Sequence, residues 1–171
     1  MEETIELLAH SISNTEGFDN GSRVWVFQSD RALTGEELKD LKLSLDEFTN
    51  SWTSHSMKVK AAADVFYRRF LVFMADETQA SVGGCSQDSL MRQVQSIQNQ
   101  YNINLLDRLS IALLDNTGVR VYQKDDLVNE INNENISRET FLFDNLVNTK
   151  KQFEDNWLKP ISTSWLNRFL A

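Results

Sequence analysis

A strand–helix–strand unit near the start of the chain limits the folds that are open to it. The first strand is predicted over residues 23–28, a run rich in β-branched and aromatic side chains. A helix follows, because Thr34 and Glu37 form a capping-box signature and apolar residues then recur every three or four positions up to Trp52. The second strand is expected over residues 66–75, whose nearly continuous apolar second half is typical of a buried central strand. This order predicts an α/β fold.

The rest of the chain extends this unit into one domain. Further elements are predicted in this order: a helix over 87–100, a hairpin over 109–122, a short helix over 125–133, an edge strand at 141–143 and helical segments after 148. Residues 22–171 are therefore expected to form a single α/β domain, with α+β as the alternative, built on a mixed sheet of four or five strands flanked by helices. Residues 1–21 are expected to be an N-terminal appendage.

Charge and cysteine content exclude several classes of function. The 171 residues include 17 Lys and Arg against 25 Asp and Glu, a net charge of −8, so binding to nucleic acid is not expected. A single cysteine cannot form an internal disulfide, which favours a reducing compartment. The acidic N-terminus does not resemble a signal peptide, and no apolar run approaches the ~20 residues that span a bilayer. We therefore expect a cytoplasmic protein without membrane insertion.

The candidate ligand site is a glycine-containing turn, residues 80–88, between the second strand and the next helix. If the two strands are neighbours, the right-handed crossover rule makes them parallel, and their carboxyl ends then meet at one edge of the sheet. Open α/β sheets bind ligands at such an edge. The residues expected there are Asp30, Arg31, Asp76, Glu77, Gly83, Gly84, Cys85, Ser86 and Asp88.

Each residue of the turn also has a simple structural interpretation. We interpret Cys85 as a small buried side chain, with part of a ligand-binding turn and a nucleophile as alternatives. The candidate base, His55, is expected at the opposite edge, because the helix before it is about 27 Å long. Ser86 is expected to cap the helix. Gly83 and Gly84 are expected either to supply positive φ angles or to let a ligand approach the backbone. No catalytic residue is assigned.

Neither a metal nor a cofactor is expected. Asp30, Asp76, Glu77 and Asp88 are candidate ligands for Mg²⁺, but ion pairs with nearby arginines are the favoured interpretation. No His/Cys cluster has zinc spacing, and neither glycine-rich phosphate-binding motif is present.

Short motifs from residue 22 onward carry a resemblance to a known family. They are Ser22-Arg23-Val24-Trp25-Val26-Phe27-Gln28-Ser29-Asp30-Arg31 with Leu33, Trp52 with His55, Arg69-Phe70, Asp76-Glu77, Gly84-Cys85-Ser86 with Asp88, Asp107-Arg108, Phe143 with Asn145-Leu146-Val147, and Trp165 with Arg168-Phe169. On these motifs the chain resembles a family of small bacterial proteins of unknown function that are often labelled ABC transporter ATPases. The chain differs at Ser56, where the family usually has glycine, and at Gly83 and Gln87 in the turn.

The leading functional hypothesis is a non-enzymatic binding or assembly module. The resemblance implies association with a transporter system and not ATP hydrolysis, because the chain has no Walker A loop. The expected partner is another protein or a small anionic ligand. Formation of a homo-oligomer is a further alternative. Trp165 and Phe169 are the candidate partner surface, with docking onto the core as the alternative. The alternative function is a small hydrolase or phosphate-ligand enzyme at the edge formed by Asp30, Asp76 and the turn at 83–88.

Overall fold

A computed structural model describes residues 10–170 and divides the strands between two larger antiparallel sheets and one two-stranded hairpin. Its elements, in chain order, are β1 Arg23–Gln28, α1 Gly35–Ser51, β2 Thr53–Ser54, β3 Met57–Lys58, β4 Lys60–Phe66, β5 Phe70–Asp76, α2 Gly84–Tyr101, β6 Ile111–Asp115, β7 Gly118–Tyr122, α3 Lys124–Asn132, β8 Phe141–Phe143, α4 Lys150–Asn156, β9 Leu158–Pro160, and the 3₁₀ helices Ile161–Thr163 and Trp165–Phe169. The predicted fold class is confirmed: helices and antiparallel sheets form a single domain consistent with α/β or α+β.

The first sheet has the order β1–β5–β4, and β5 is antiparallel to both neighbours. The expected parallel pairing of the first strand with residues 66–75 is therefore wrong. The reason is that residues 60–66 form a strand of their own, β4, which is the strand that α1 leads into through the short β2–β3 hairpin. β1 and β4 run in the same direction, and β5 folds back from β4 to lie between them.

Both faces of this sheet are covered, so β5 is buried along its whole length. Residues of a strand alternate between faces. Leu71, Phe73 and Ala75 belong to a core cluster with the apolar side chains of α1 and α2. Phe70, Val72 and Met74 belong to a second cluster with side chains of the other sheet and of the segment that contains α4. Because β5 contributes side chains to a core cluster on each face of the sheet, its sequence is a continuous apolar run.

The second sheet has the order β7–β6–β8–β9, with every pairing antiparallel. Its residues Leu113 and Leu142 pack with α3 and with the two 3₁₀ helices in a third cluster. None of the helices within residues 10–170 is both long enough and apolar enough to cross a bilayer.

Residues 10–21 pack against the domain. Ile12 and Thr15 are buried, and Phe18 packs against the second cluster. His10 Nε2 lies 2.8 Å from the Tyr67 hydroxyl, and its ring meets that of Trp157 edge to face. This part of the predicted N-terminal appendage is thus integrated into the core, and residues 1–9 lie outside the described residues.

Candidate functional site

The antiparallel order of β1 and β5 separates the predicted site residues into two groups at opposite ends of the first sheet. Asp30 and Arg31 follow the end of β1, whereas Asp76 and Glu77 lie at the end where β1 begins with Arg23. At about 3.3 Å per residue, the length of β1 puts about 20 Å between the two ends. The expectation of one ligand-binding edge is therefore wrong, and Asp30 and Asp76 cannot share a metal ion.

Asp30 and Arg31 hold elements of the fold together. Arg31 forms a two-point contact with the Glu37 carboxylate at 2.8 and 2.9 Å and donates to the Tyr101 carbonyl at 2.6 Å, which joins the start of α1 to the end of α2. This hydrogen bond from Arg31 lowers the pKa of Glu37 to about 2. Asp30 exchanges two hydrogen bonds with the backbone of Asn104.

Asp76 and Glu77 have corresponding structural roles at the other end. Asp76 is 2% exposed and accepts hydrogen bonds from the Thr78 N–H and hydroxyl and from the Asp19 N–H, and Lys60 Nζ lies 3.4 Å away. Burial acts against its charged form, but these donors outweigh burial and lower the pKa of Asp76 to about 2. The Glu77 carboxylate accepts a hydrogen bond from the Val82 N–H at 2.8 Å.

The predicted glycine-containing turn forms the N-terminus of helix α2. Gly83 is the residue before the first turn of α2, with φ −87°, and Gly84 is its first residue, so the expected positive φ angles are wrong. Ser86 is not the cap. Its hydroxyl donates to the Thr53 carbonyl at 3.1 Å, and its carbonyl accepts from Trp52 Nε1 at 2.9 Å. These bonds fasten the end of α1 to the beginning of α2.

Cys85 and His55 also differ from expectation. Cys85 is exposed and not buried, and Asp88 in the next turn is exposed as well. A Cβ built on Gly83 would lie 3.7 Å from His55 Nε2, so His55 lies at the same end of the sheet as the turn. The predicted separation of His55 from the turn is wrong because the antiparallel β5 returns to the end where α1 finishes.

A cleft of about 700 Å³ opens between the two sheets, and none of the residues of the predicted edge lines it. Its lining comes from β1, from residues 105–111, from the start of α3, from residues 142–146, and from Trp165 and Arg168. A smaller cavity of about 430 Å³ along β1 shares Val26, Arg108, Asn145 and Leu146 with it. Volumes of this size are typical of ligand pockets.

Exposed apolar side chains concentrate around this cleft. Leu109, Leu146 and Trp165 are 75%, 85% and 42% exposed, and they are three of the five large apolar side chains exposed within residues 10–170. Leu109 is held outside by a turn in which Asp107 accepts the Leu109 N–H and the Ser110 hydroxyl. The Ser110 hydrogen bond lowers the pKa of Asp107, so this carboxylate is charged and already hydrogen-bonded.

The cations of the cleft lack acidic partners. Within residues 10–170, no carboxylate lies within 4 Å of Arg108, Lys124 or Arg168. The Arg108 guanidinium lies 5.8 Å from the centre of the Phe27 ring. The acidic Asp144, in contrast, is already paired with Lys159 at 2.8 Å. The lining also contains the carboxylates of Asp107 and Asp125, so the unpaired positive charge is local to the side chains of Arg108, Lys124 and Arg168.

The predicted partner surface adjoins the cleft. Trp165 and Phe169 meet edge to face with ring centres 6.2 Å apart, and the Arg168 guanidinium lies 5.7 and 4.8 Å from the two rings. Trp165 lines the cleft, whereas Phe169 is half-buried against the third core cluster.

A polar network fixes the inner wall of the cleft. The Asn145 amide donates to Gln28 Oε1 at 2.9 Å and accepts from Trp157 Nε1 at 3.0 Å. Trp157 is fully buried, so this network ties the loop after β8 to the core. The wall is therefore held by hydrogen bonds between the protein's own side chains.

Except for Trp165, the main residues of the cleft were not selected from the sequence. Arg108, Leu109 and Leu146 lie in connecting segments without a periodic pattern. They come together only in the folded structure, where all three line the cleft. Arg108 and Leu146 do occur in the motifs that carry the resemblance, and that is the one sequence signal that marks them.

No protein-family model matches the chain, and comparisons with curated proteins and with solved structures give no match either. Within residues 10–170, no group of three or more His, Cys, Asp and Glu side chains is placed to hold a metal ion.

Proposed function

We propose that this protein is a non-enzymatic binding module that holds its ligand in the cleft between the two sheets. The ligand class that fits is a molecule with a negative group next to an apolar surface. One observation carries the proposal: the exposed Leu109, Leu146 and Trp165 surround the same cleft as Arg108 and Arg168, which have no acidic partner within residues 10–170.

The two kinds of side chain support this ligand class in different ways. Apolar side chains that gather at one exposed place and are rimmed by polar groups mark a binding site, because their burial by a ligand is favourable. An arginine presents five N–H donors and forms its strongest hydrogen bonds with anions. Arg108 stands between the larger and the smaller cavity, so it can meet a ligand in either.

The rival hypothesis, a hydrolase or phosphate-ligand enzyme, depended on bringing Asp30, Asp76 and the turn at 83–88 to one edge. The antiparallel sheet separates Asp30 from the other two, so the cleft is the better-supported location for a ligand. The single cysteine supports a cytoplasmic location, and the resemblance described above supports association with a transporter system.

The test is a fluorescence titration with 8-anilinonaphthalene-1-sulfonate, an anionic apolar dye. We expect saturable binding that weakens by about tenfold in Arg108→Glu and in Arg168→Glu, because each loses a charge-assisted hydrogen bond and gains a repulsive charge. Arg138→Glu is the matched control, since Arg138 is exposed and does not line the cleft. Circular dichroism verifies that all variants are folded.

Either of two results contradicts the proposal. One is a dye titration without saturation on the native protein. The other is equal affinity in the Arg108→Glu, Arg168→Glu and Arg138→Glu proteins, which would place the dye elsewhere.

A further inference from the structure

We propose that the natural occupant of the cleft is an extended peptide segment that adds a strand to the free edge of β1 and that alternates acidic and apolar residues. This inference rests on the proposed function, in that it takes the cleft as the binding site. It goes further by naming the chemical class of the ligand and the backbone groups that it contacts.

The hydrogen bonds around β1 show which of its backbone groups face the cleft. The Ser29 N–H donates to Arg69 on the β5 side, and the Val24 N–H donates to Asn148 on the opposite side. Because the direction alternates from one residue to the next in an antiparallel strand, Val26 and Gln28 also point their N–H and C=O groups away from β5.

These four outward groups have no hydrogen-bond partner within residues 10–170. The outward N–H groups on either side of them are paired, at Val24 with Asn148 and at Asp30 with Asn104. The unpaired outward N–H groups are therefore those of Val26 and Gln28, and both of these residues line the cleft.

Burial makes this unpaired edge unusual. Val26 is 5% exposed and Gln28 is 7% exposed. More than 90% of buried backbone N–H and C=O groups in proteins are paired, because leaving one unpaired costs as much as a lost hydrogen bond. The other edge strand of the sheet, β4, is half-exposed throughout, so its outward groups can bond to water. The outward groups of β1 are more deeply buried than those of β4, and they face the cleft.

An added strand is the partner whose hydrogen bonds match these groups. A guest strand lies about 4.8 Å from its neighbour and repeats its donors and acceptors every second residue. Val26 and Gln28 have the same two-residue spacing, so a guest of about five residues can bond to all four outward groups. The N–H groups of Val24 and Asp30 are already bonded to Asn148 and Asn104, and these two hydrogen bonds limit the length of the added strand.

The two faces of β1 indicate the side chains that such a guest carries. Guest side chains alternate between the face of Phe27, where Arg108 lies, and the face of Val26, which belongs to an apolar cluster. Arg108 has no acidic partner within residues 10–170 and favours a carboxylate at alternate guest positions. Apolar side chains suit the positions between them.

The experiment uses the peptide acetyl-Leu-Glu-Val-Glu-Leu-amide with the full chain. Isothermal calorimetry measures affinity, and amide hydrogen exchange by NMR reports on individual N–H groups. We expect exchange at Val26 and Gln28 to slow by at least about tenfold on binding. Exchange at Val24, already bonded to Asn148, is the internal control and stays unchanged.

Two variations test the parts of the proposal separately. N-methylation of alternate peptide amides removes the donors that a strand needs, and we expect it to weaken binding by about tenfold or more. Arg108→Glu is expected to weaken binding of the Glu peptide by about tenfold. It should restore binding of a peptide with Lys in place of both Glu residues.

The outcomes separate this inference from the proposed function. If the dye and the Glu peptide both bind and depend on Arg108, but N-methylation and exchange at Val26 show no effect, strand addition is wrong and the binding module stands. If neither probe binds, both proposals fail. If exchange at Val26 slows with protein concentration alone and sedimentation shows a dimer, the occupant is a second copy of this chain, and the peptide proposal is overturned.

Discussion

The buried carboxylate of Asp76 offers a quantitative test of how residues 10–21 are attached to the sheet. Asp76→Asn keeps the size of the side chain but removes the charge that the Thr78 and Asp19 donors and Lys60 stabilise. The pKa of Asp76 falls from its ordinary 3.8 to about 2 in the folded protein. That difference corresponds to about 2 kcal/mol of folding free energy at neutral pH.

The pH dependence has a definite sign. The folded-state pKa of Asp76 lies below the unfolded one, so its stabilisation is complete well above pH 3.8 and is lost as the pH falls towards 2. The asparagine variant has no such titration. The stability difference between the two proteins should therefore be about 2 kcal/mol at pH 7 and shrink towards zero near pH 2.

Urea unfolding followed by tryptophan fluorescence at several pH values measures this difference. Asp46→Asn, at an exposed position of α1, is the matched control and should change stability little at any pH. Lys60→Met should cost less than Asp76→Asn, because Lys60 supplies one of several contacts and is itself 41% exposed. A difference for Asp76→Asn that stays constant from pH 7 to pH 2 would refute this account of the carboxylate.

Two further predictions concern local backbone structure. Thr34→Ala should lower stability by about 1 kcal/mol, because the Thr34 hydroxyl caps α1 by accepting the Glu37 N–H. Thr34→Ser, which keeps the hydroxyl, is its control, and thermal unfolding measures both. Ser56→Gly should raise stability by about 0.5 kcal/mol, because Ser56 has φ 66° in the β2–β3 hairpin and glycine adopts that conformation without strain. Ser51→Gly, in the last turn of α1, should instead be destabilising, and equal effects of the two changes would contradict this explanation.

Local sequence signals predicted the elements whose ends are fixed locally. β1 has the predicted bounds, and α1 begins at the predicted capping box. The helix α2 begins three residues before the predicted position, because backbone geometry at Gly83 starts it without a side-chain cap. In each case the residues that decide the boundary are neighbours in the chain.

The direction of β5 could not be predicted in the same way. β4 contains three consecutive alanines and shows no alternation of apolar and polar residues, so nothing local distinguishes it from a loop. Its strand conformation depends on pairing with β5 over seven residues. If β4 is taken as a loop, helix α1 leads directly into residues 66–75, and the predicted edge follows from that interpretation.

The same topological feature that divides the predicted site also creates the cleft. Because β5 lies between β4 and β1, β1 has a neighbour on one side only and remains an edge strand. The segments that contain Asn104 and Asn148 cover the two ends of that edge, and the second sheet stands beyond it. A long edge open to solvent would invite aggregation, whereas this one is buried and open over two residues. A buried edge of limited length selects a short extended segment, which is why the cleft fits a peptide better than a compact molecule.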